Sequence, residues 1–427
     1  MTVSVGKRVL MLLENNPYPE DMRVRREAIS LTAAGYDVTV ICPAPKGRPW
    51  YETIDGVRAY RFRAPASGDG FLGYLWEYGY SLAATFFLSL LVCFRHGFDI
   101  IHAHNPPDLF VLIAMFYRIT GKRFVFDHHD LSPEMYQARF RSGGNQFVFR
   151  VLVSFEKLTC WMADHVISTN ESYKTVVMER GNVPEDRITI VRNGPNLNRV
   201  KQVDPDEKLR QKAGTIIGYV GVMGFQDGID YLLRALHHLI HELDQTDFYC
   251  VLVGKGDARD SLIELAAELK LDDHVWFTGR VPDDDLLRFL STADICVVPD
   301  PSNPFNDRST MIKMMEYMAL SKPIVAFDLP EHQVSAADAA LYAQPNDELD
   351  FARQLALLMA DADRRREMGR LGRQRVETEL AWSQQEQCLL DAYQRLAGER
   401  SMSTTEPASE LHKGFRDEHQ ECISSER

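Results

Sequence analysis

Residues 301–328 read PSNPFNDRSTMIKMMEYMALSKPIVAFD, and this stretch governs the interpretation of the whole chain. Its first part is rich in Pro, Asn and Asp, which is typical of a loop. Ser309 or Thr310 is placed to cap a helix that ends near Leu320, and methionines supply the apolar packing of that helix. The apolar run Lys322–Phe327 then predicts a buried strand. A loop, helix and strand in this order form a place where a ligand can be held.

Two charged side chains of this helix suit a nucleotide. Lys313 and Glu316 lie about one turn apart and face the loop side. A lysine brings a mobile positive charge to a diphosphate, and an ionised glutamate accepts hydrogen bonds from both hydroxyls of a ribose. An ordinary surface ion pair has the same spacing, so the pair alone leaves both interpretations open.

The rest of the chain repeats short apolar runs and helical segments. RVLMLLE at residues 8–14 and DVTVIC at 37–42 are typical of strands covered on both faces of a parallel sheet. A chain of 427 residues is too long for one core of common size, and its 45% hydrophobic content supports two. No G-x-G-x-x-G follows the first strand, which disfavours a dinucleotide site of the oxidoreductase type.

The distribution of charge and the cysteine content indicate which partners and which cellular compartment to expect. Residues 1–200 hold 23 Lys and Arg against 20 Asp and Glu, a net charge of +3. Because the whole chain has a net charge of −13, residues 201–427 carry −16. An acidic second half argues against a nucleic-acid partner. The seven cysteines form no C-x-x-C pair, and the chain opens without a signal peptide. We expect a cytoplasmic protein with buried thiols.

The stretch Tyr78–Phe94, YGYSLAATFFLSLLVCF, contains no charged residue. A helix that spans a bilayer needs about 20 apolar residues, so this one is borderline. Three interpretations stay open here: a helix buried between the sheet and its neighbours, a helix lying in a membrane interface with Trp76 and nearby tyrosines as anchors, and a true span.

Histidines follow two predicted strands. FDIIHAHNPPD ends one strand with His102 and His104, and RFVFDHHD ends another with His128 and His129. Ligands of parallel sheets gather beyond the carboxyl ends of the strands, so all four histidines are candidates for one crevice. Their spacing matches no common metal pattern, and we expect no metal. Arg23, near the start of the first helix, is either solvated or placed to meet an acceptor phosphate at the same edge.

The string ST..K..EYMA..KPIVA resembles the donor-nucleotide segment of the retaining glycosyltransferases of family four, which have the GT-B fold. The resemblance implies that Glu316 is the second glutamate of the family's E-x7-E motif and binds the ribose. The first glutamate is replaced by Arg308, so its role toward the donor sugar falls to Asp307, to backbone groups or to nothing.

Further segments carry the resemblance more weakly. FDHHDLSPE resembles the strand that ends in the active-site histidine, which implies that His129 faces the reacting sugar with Asp130 beside it. Glu134 then follows as an acceptor-side carboxylate, together with His104 and Arg23. The donor loop has Met223 and Asp227 where relatives have arginine and lysine, so Lys313 is the natural substitute. The remaining donor-side candidates are Gly221, Gly224, Gln226, Gly254, Lys255, Gly256 and Arg280.

The resemblance implies an α/β protein of GT-B type, with two Rossmann-like doubly wound domains and a cleft between them. The predicted organisation has an acceptor domain at residues 1–200, a donor domain at 201–375, a helix at 376–400 that crosses back to the first domain, and a disordered tail at 401–427.

The implied activity is metal-independent, retaining transfer of a hexose, without a cofactor. The donor is a nucleotide sugar, with UDP the commonest choice in the family, and the acceptor is a glycan or a lipid diphosphate of polysaccharide biosynthesis. An acceptor of the latter kind suits peripheral docking on an anionic inner membrane surface. Two alternatives are a GT-B-like scaffold that has lost activity and a GT-B sugar-nucleotide epimerase.

Overall fold

The computed structural model describes residues 7–45, 47–65, 70–139 and 144–397, so the tail predicted to be disordered lies outside the described residues. Within them the chain forms two β-sheets flanked by helices, one of eight strands and one of six. The first sheet runs from residue 8 to residue 190 and the second from residue 215 to residue 343. The predicted class, two α/β units with Rossmann-like sheets, is confirmed.

The first sheet has the strand order β3-β4-β2-β1-β5-β6-β7-β8. All neighbours pair in parallel except β3 and β4, an antiparallel hairpin that the sequence analysis did not predict. Its strands are β1 (Arg8–Leu12), β2 (Asp37–Ala44), β3 (Tyr51–Ile54), β4 (Val57–Arg63), β5 (Ile100–His104), β6 (Arg123–His128), β7 (His165–Ser168) and β8 (Ile188–Ile190). Its helices are α1 (Met22–Ala33), α2 (Gly70–Arg95), α3 (Val111–Arg118), α4 (Ser132–Arg139), α5 (Gln146–Met162) and α6 (Glu171–Glu179).

The second sheet is parallel throughout, in the order β11-β10-β9-β12-β13-β14. A short helix α7 (Glu207–Arg210) precedes it. Its strands are β9 (Thr215–Val220), β10 (Phe248–Val253), β11 (Val275–Gly279), β12 (Ile295–Val298), β13 (Ile324–Phe327) and β14 (Ala340–Ala343). Its helices are α8 (Ile229–His241), α9 (Arg259–Glu268), α10 (Asp283–Thr292), α11 (Ile312–Ala319), α12 (Pro330–Ala336), α13 (Glu348–Ala360) and α14 (Ala362–Arg375).

The last described helix, α15 (Trp382–Ala397), returns to the first sheet after a wide turn at Val376–Leu380. The indole Nε1 of Trp382 donates to Ser30 Oγ at 3.1 Å. The Tyr393 ring meets Tyr36 edge-on, with 5.3 Å between the ring centroids. Both contacts join α15 to the α1 face of the first sheet, where its apolar residues share one core with β1 and β2.

The uncharged stretch lies within α2. One face of this helix packs with α3 and α5 on the first sheet, and the other face is open. Among the described residues one segment, Trp76–Arg95, is long and apolar enough to cross a membrane, with a mean hydropathy of 1.4, and 22% of it is buried. The structure therefore contradicts the interpretation of this stretch as a helix buried between the sheet and its neighbours.

Candidate active site

The two sheets meet through the loop that follows β12. Asn170, the N-cap of α6, donates through Nδ2 to the carbonyl of Arg308 at 2.8 Å and to Thr310 Oγ1 at 2.9 Å. The hydroxyls of Tyr173 and Ser309 lie 2.9 Å apart. These contacts fix the loop after β12 against the first sheet, so that the carboxyl ends of both sheets border one cleft.

The start of α11 differs from the prediction. Its N-cap is Met311, and no side chain caps it. The Ser309 hydroxyl donates to the carbonyl of Phe305 at 2.8 Å, and the Thr310 hydroxyl donates to Glu331 at 3.2 Å. The predicted cap is wrong because partners outside the helix hold both hydroxyls.

Lys313 is paired on the second sheet. Its Nζ lies 2.8 Å from Asp300 Oδ2 and 4.8 Å from the centre of the Tyr219 ring. Burial by itself lowers the pKa of Lys313, but Asp300 and then Asp227 outweigh it and raise the pKa above its ordinary value. The ammonium group is therefore charged and held in place, and the sequence analysis did not single out Asp300 as its partner.

Glu316 is partly buried on the same helix, at the border of the two sheets. Burial raises the pKa of its carboxyl, whereas the positive charges of Arg199 and Arg26 lower it. Arg26 belongs to α1, so a first-sheet cation acts on a second-sheet carboxylate. The next residue, Tyr317, is fully buried, and its hydroxyl accepts a hydrogen bond from the backbone N–H of Val220 at 2.8 Å. This bond ties α11 to the end of β9.

Glycines bring three loops together without side chains between them, among them the predicted Gly254 and also Gly228, which was not predicted. Gly254 has a φ of +148°, and a Cβ there would lie 1.9 Å from the carbonyl oxygen of Gly221. Gly228 has a φ of +68°, and a Cβ there would lie 2.0 Å from the carbonyl oxygen of Pro299. Only glycine fits either position. The loops after β9, β10 and β12 therefore offer mainly backbone groups to a ligand.

The other donor-side candidates lie on or next to the same loops and differ in how exposed they are. The Gly224 N–H donates to the Asp227 carboxylate at 2.9 Å, and the Gln226 carbonyl accepts from Asn306 at 3.0 Å. Lys255 and Arg280 are exposed, and Gly256 packs its backbone against that of Met223. Met223 itself is fully buried in the core, whereas its neighbour Val222 is 62% exposed.

Asp307, the substitute proposed for the missing glutamate, is partly buried in the loop after β12. Its Oδ1 is shielded from solvent and has no hydrogen-bond partner among the described residues. A buried carboxylate oxygen without a partner is costly in a folded protein, which is typical of groups that bind a ligand.

The first-sheet side of the cleft is built around Asp127, at the end of β6. Arg23 donates to both oxygens of its carboxylate, at 2.8 and 2.9 Å, and also to the Val191 carbonyl at 2.9 Å. His104 Nδ1 lies 3.1 Å and His129 Nδ1 lies 3.5 Å from the same carboxylate. Asp127 was missed in the sequence, although its place between a buried strand and two histidines was a usable signal.

Two predicted acceptor-side roles are therefore contradicted. Arg23 is neither solvated nor free for an acceptor phosphate, because it points from α1 into the protein and is only 7% exposed. His104 has no exposed surface and is enclosed with Asp127. Both side chains instead fix the position of Asp127, and through it His129.

His129 is the cluster member that reaches the cleft, with a side chain 16% exposed. Burial lowers its pKa, but Asp127 outweighs burial and raises the pKa above its ordinary value. The carboxamide oxygen of Asn105 accepts from the backbone N–H groups of His129 and Asp130, at 2.9 and 3.1 Å. Asn105 therefore sets the course of the loop that carries both predicted catalytic residues.

His128 does not join the other three histidines. Its Nε2 lies 3.0 Å from Glu156, on the opposite side of the sheet. Neighbouring residues of a strand point to opposite faces, so His128 and His129 cannot share one crevice. The prediction that all four histidines gather at one site is wrong for His128.

Four groups with metal-ligand atoms do lie together. Ligand atoms of Glu27, His102, His104 and Asp127 are all within 4.8 Å of one another, and all four residues are buried. The guanidinium of Arg23 lies 3.2 Å from Glu27 and is bonded to Asp127, so an organic cation already balances the negative charge of this cluster.

Glu134, the third acceptor-side candidate, is also engaged. It is 5% exposed and forms an ion pair with Arg180, while Arg308 approaches it to 3.8 Å across the cleft. Its acceptor-side role stays a prediction, and the carboxylate that would serve it is already paired with a cation. The residue that replaces the family's first glutamate faces this carboxylate from the other sheet.

Asp108 is a buried carboxyl close to the loop of His129 and Asp130, and the effect of burial on its pKa can be tested. Burial, followed by the negative charge of Glu156, raises the pKa of Asp108 from 3.8 to about 7. The folded protein then keeps a proton that the unfolded chain loses, so stability falls as pH rises from about 4 through about 7. We expect Asp108→Asn to raise the free energy of unfolding at pH 8 by about 2 kcal/mol and to change it little at pH 4.

Urea unfolding at both pH values measures this effect. Asp272→Asn, on an exposed carboxyl between α9 and β11, is the control. An equal change at pH 4 and pH 8 would contradict the protonated state of Asp108.

Comparison with known proteins decides the family. A glycosyl transferase 4-like domain matches residues 21–194, and a domain described as glycosyl transferases group 1 matches residues 214–361. An uncharacterized glycosyltransferase of Methanocaldococcus jannaschii is 30% identical over 314 residues, which make up 70% of this chain and 73% of that protein. The chain belongs to the family-four glycosyltransferases.

Other relatives of this glycosyltransferase are more distant. The O-antigen chain mannosyltransferase of Salmonella typhimurium is 24% identical over 223 residues, 52% of this chain and 56% of that protein. Among solved structures, a sucrose-phosphate synthase of Thermosynechococcus elongatus has a TM-score of 0.76 at 21% identity, covering 92% of this chain and 100% of that one. The Anabaena protein HepE in complex with UDP-glucose has a TM-score of 0.68 at 16% identity, covering 91% and 99%. These structures share the fold.

Proposed function

We propose that this glycosyltransferase moves a hexose from a nucleoside-diphosphate sugar to an acceptor hydroxyl, with retention of configuration and without a metal or other cofactor. The observation that supports the proposal is that Lys313 and Glu316 share the helix α11, and that Arg26 of the first sheet acts on the Glu316 carboxyl. In this proposal Glu316 accepts hydrogen bonds from the ribose hydroxyls and Lys313 faces the diphosphate. Lys313 has three N–H donors and two partners, the Asp300 carboxylate and the Tyr219 hydroxyl at 3.4 Å, so one donor remains for a phosphate oxygen.

The backbone of the donor loops supplies the rest of the diphosphate site. Neither loop residue at the expected cationic positions carries a positive charge, and Asp227 adds a carboxyl whose pKa burial raises to about 6. Phosphate binding then rests on Lys313, on the exposed Arg280 at the rim, and on backbone N–H groups of the loop after β9 other than those of Gly221 and Gly224, which donate to Val253 and Asp227. The occurrence of UDP-glucose in the HepE structure supports a UDP-sugar as the first donor to test.

Catalysis follows from positioning and charge. The donor lies against the second sheet and the acceptor hydroxyl is brought to the sugar from the first, so the reacting groups are held together before the bond to the diphosphate breaks. Negative charge then grows on the leaving diphosphate, and the fixed positive charge of Lys313 stabilises it. His129, held by Asp127, faces the sugar from the opposite side.

A lipid-linked glycan of polysaccharide biosynthesis is the acceptor we propose, at the cytoplasmic face of a membrane. The relationship to an O-antigen chain mannosyltransferase and the exposed apolar face of α2 support this choice. Mass spectrometry of the purified protein with mixed nucleotide sugars and a polyprenyl-diphosphate acceptor tests it. A product heavier by one hexose, formed only when both are present, is the expected result. Free nucleoside diphosphate without a glycosylated product would contradict the acceptor.

An inactive scaffold is the second candidate, because the family's first glutamate and two donor-loop cations are replaced, and because the carboxylates of Asp300 and Asp227 offset the charge of Lys313. Thermal unfolding with a panel of nucleoside diphosphates separates the two functions. Stabilisation by one of them is expected for the enzyme, and no stabilisation by any would favour the scaffold. Incubation of the donor without acceptor, followed by sugar analysis, tests for an epimerase.

We expect Asp307→Asn to lower kcat at least about tenfold, which corresponds to about 1.4 kcal/mol in activation free energy. The reason is that the buried, unpartnered Oδ1 of Asp307 is available to accept a hydrogen bond from a donor-sugar hydroxyl, and a neutral amide accepts more weakly. Steady-state kinetics with saturating donor measures the effect. Asp328→Asn, on an exposed carboxyl at the end of β13, is the control, and equal rates for both variants would assign the sugar to backbone groups.

A further inference from the structure

The outer face of α3 is apolar, although it is open to solvent. Leu112, Met115, Phe116 and Ile119 recur at helical spacing along this face and are 42%, 41%, 46% and 86% exposed. The opposite face buries Val111, Ile113, Ala114 and Tyr117 in the core. A helix that is apolar all round is normally covered on all sides, so the exposed face of α3 is unusual for a protein surface.

The apolar face continues onto α2. The rings of Phe86 and Phe116 meet edge-on, with 5.2 Å between their centroids, and join the two helices. Outward from this contact, Trp76, Phe87 and Phe94 are 62%, 68% and 87% exposed. No charged residue lies on α2 between Glu77 and Arg95, so the apolar stripe runs along most of the helix.

On the third helix of the layer, α5, apolar and basic residues alternate. Phe147, Val151 and Trp161 are 71%, 37% and 66% exposed. Arg150 and Lys157 are exposed on the same face, at helical spacing from them. The only acidic residue of α5, Glu156, is buried and paired with Arg180. This helix therefore presents aromatic side chains between positive charges.

We propose that the outer faces of α2, α3 and α5 form one surface, the three-helix face, that docks on an anionic lipid bilayer. The inference rests on the proposed function, because it places the enzyme where a lipid-linked acceptor is found. Exposed Trp, Phe and Ile side chains enter the headgroup boundary, and Arg150 and Lys157 meet the anionic headgroups. Apolar contact and charge attraction together give docking that is stable and reversible.

Charge selects a bilayer over a second copy of the chain. A twofold dimer through this face would set the same patch against itself. Arg150 and Lys157 would then approach their own copies, and apart from the buried Glu156 the three helices carry one acid, the partly exposed Glu77 in the first half of α2. An anionic surface complements the whole three-helix face, whereas a copy of the face repels it.

Sedimentation with vesicles tests the docking. The protein is expected to sediment with vesicles that contain phosphatidylglycerol at low salt, to be released in part at high salt, and to stay in solution with phosphatidylcholine alone. The triple variant Phe87→Ser, Phe94→Ser, Ile119→Ser removes the most exposed side chains of α2 and α3, and we expect its partition coefficient to fall at least about tenfold. Reversing Arg150 and Lys157 to Glu should remove the salt-sensitive part, at least about fivefold per charge.

Matched controls show whether a loss of vesicle binding is specific to the three-helix face. Leu357→Ser changes a side chain that is 50% exposed on α13 of the second sheet, and its vesicle binding should equal that of the unchanged protein. Phe86 is left intact because it packs on Phe116. Thermal unfolding confirms that each variant is folded, and light scattering of the unchanged protein without vesicles reports self-association.

The outcomes separate this inference from the proposed function. Loss of vesicle binding in the triple variant, with unchanged stabilisation by UDP, supports the three-helix face. Vesicle binding that survives both sets of substitutions overturns it. A dimer that the triple variant converts to a monomer, without vesicle binding by either protein, assigns the face to a second copy instead. Failure to bind any nucleoside diphosphate would count against the proposed function and leaves the vesicle result unaffected.

Discussion

Glu316→Ala is expected to weaken donor binding at least about 100-fold. A carboxylate that accepts two hydrogen bonds from a ribose contributes about 1.5–3 kcal/mol per bond, because the acceptor is charged and partly desolvated. Burial raises the pKa of the Glu316 carboxyl overall, and the positive charges of Arg199 and Arg26 offset part of that rise. Isothermal calorimetry with UDP and with the intact nucleotide sugar measures the loss directly, without dependence on the acceptor.

The control for this experiment is Glu264→Ala, which removes an exposed carboxylate from α9. Its donor affinity should equal that of the unchanged protein. Glu316→Gln should fall between the two, because an amide oxygen still accepts a hydrogen bond but carries no charge. An unchanged affinity in Glu316→Ala would refute the ribose assignment, even if the enzyme lost activity for another reason.

Arg23→Met is expected to cost about 3–5 kcal/mol in the free energy of unfolding, which is a large fraction of the stability of a typical domain. The substitution leaves the Asp127 carboxylate buried without its bidentate partner, and it also removes the bond to the Val191 carbonyl. Burial would lower the pKa of Arg23, but Asp127 and Glu27 raise it, so the guanidinium stays charged in the folded protein. Urea unfolding at neutral pH gives the loss.

Arg25→Met, two residues along the same helix, is the matched control. Its ion pair with Asp55 lies at the surface, with side chains 38% and 34% exposed, and should contribute about 0–1 kcal/mol. The double variant Arg23→Met, Asp127→Leu tests the mechanism, because removal of both charges should recover part of the stability. Equal losses for Arg23→Met and Arg25→Met would contradict the buried pair.

The two predictions also separate two kinds of residue on the cleft. Glu316 is expected to change ligand affinity with little change in stability, since few side chains depend on it. Arg23 is expected to change stability, and to affect activity only through the position of His129. The acceptor-side role first predicted for Arg23 would have had the reverse signature, with weaker acceptor binding and an intact fold.

The sequence by itself determined the fold class, the family and the placement of α11. Buried parallel strands need continuous apolar runs, and those runs are local features that can be read without knowledge of contacts. Lys313, Glu316 and the methionines of α11 follow helical spacing, which is also local. The glycines of the donor loops were named through the resemblance to the family, and the structure then showed a close approach of backbone at Gly254.

Only the tertiary structure decided what each charged side chain faces. Arg23 and Asp127 are 104 residues apart in the chain and 2.8 Å apart in space, and no local pattern encodes that pairing. The same holds for Lys313 with Asp300, and for Glu134 with Arg180 and Arg308. Neighbouring side chains along a strand point to opposite faces of the sheet. His128 therefore points into the protein toward Glu156, and His129 points toward the cleft. The three-helix face likewise exists only after α2, α3 and α5 pack side by side, since each helix alone has too little exposed apolar surface to form it.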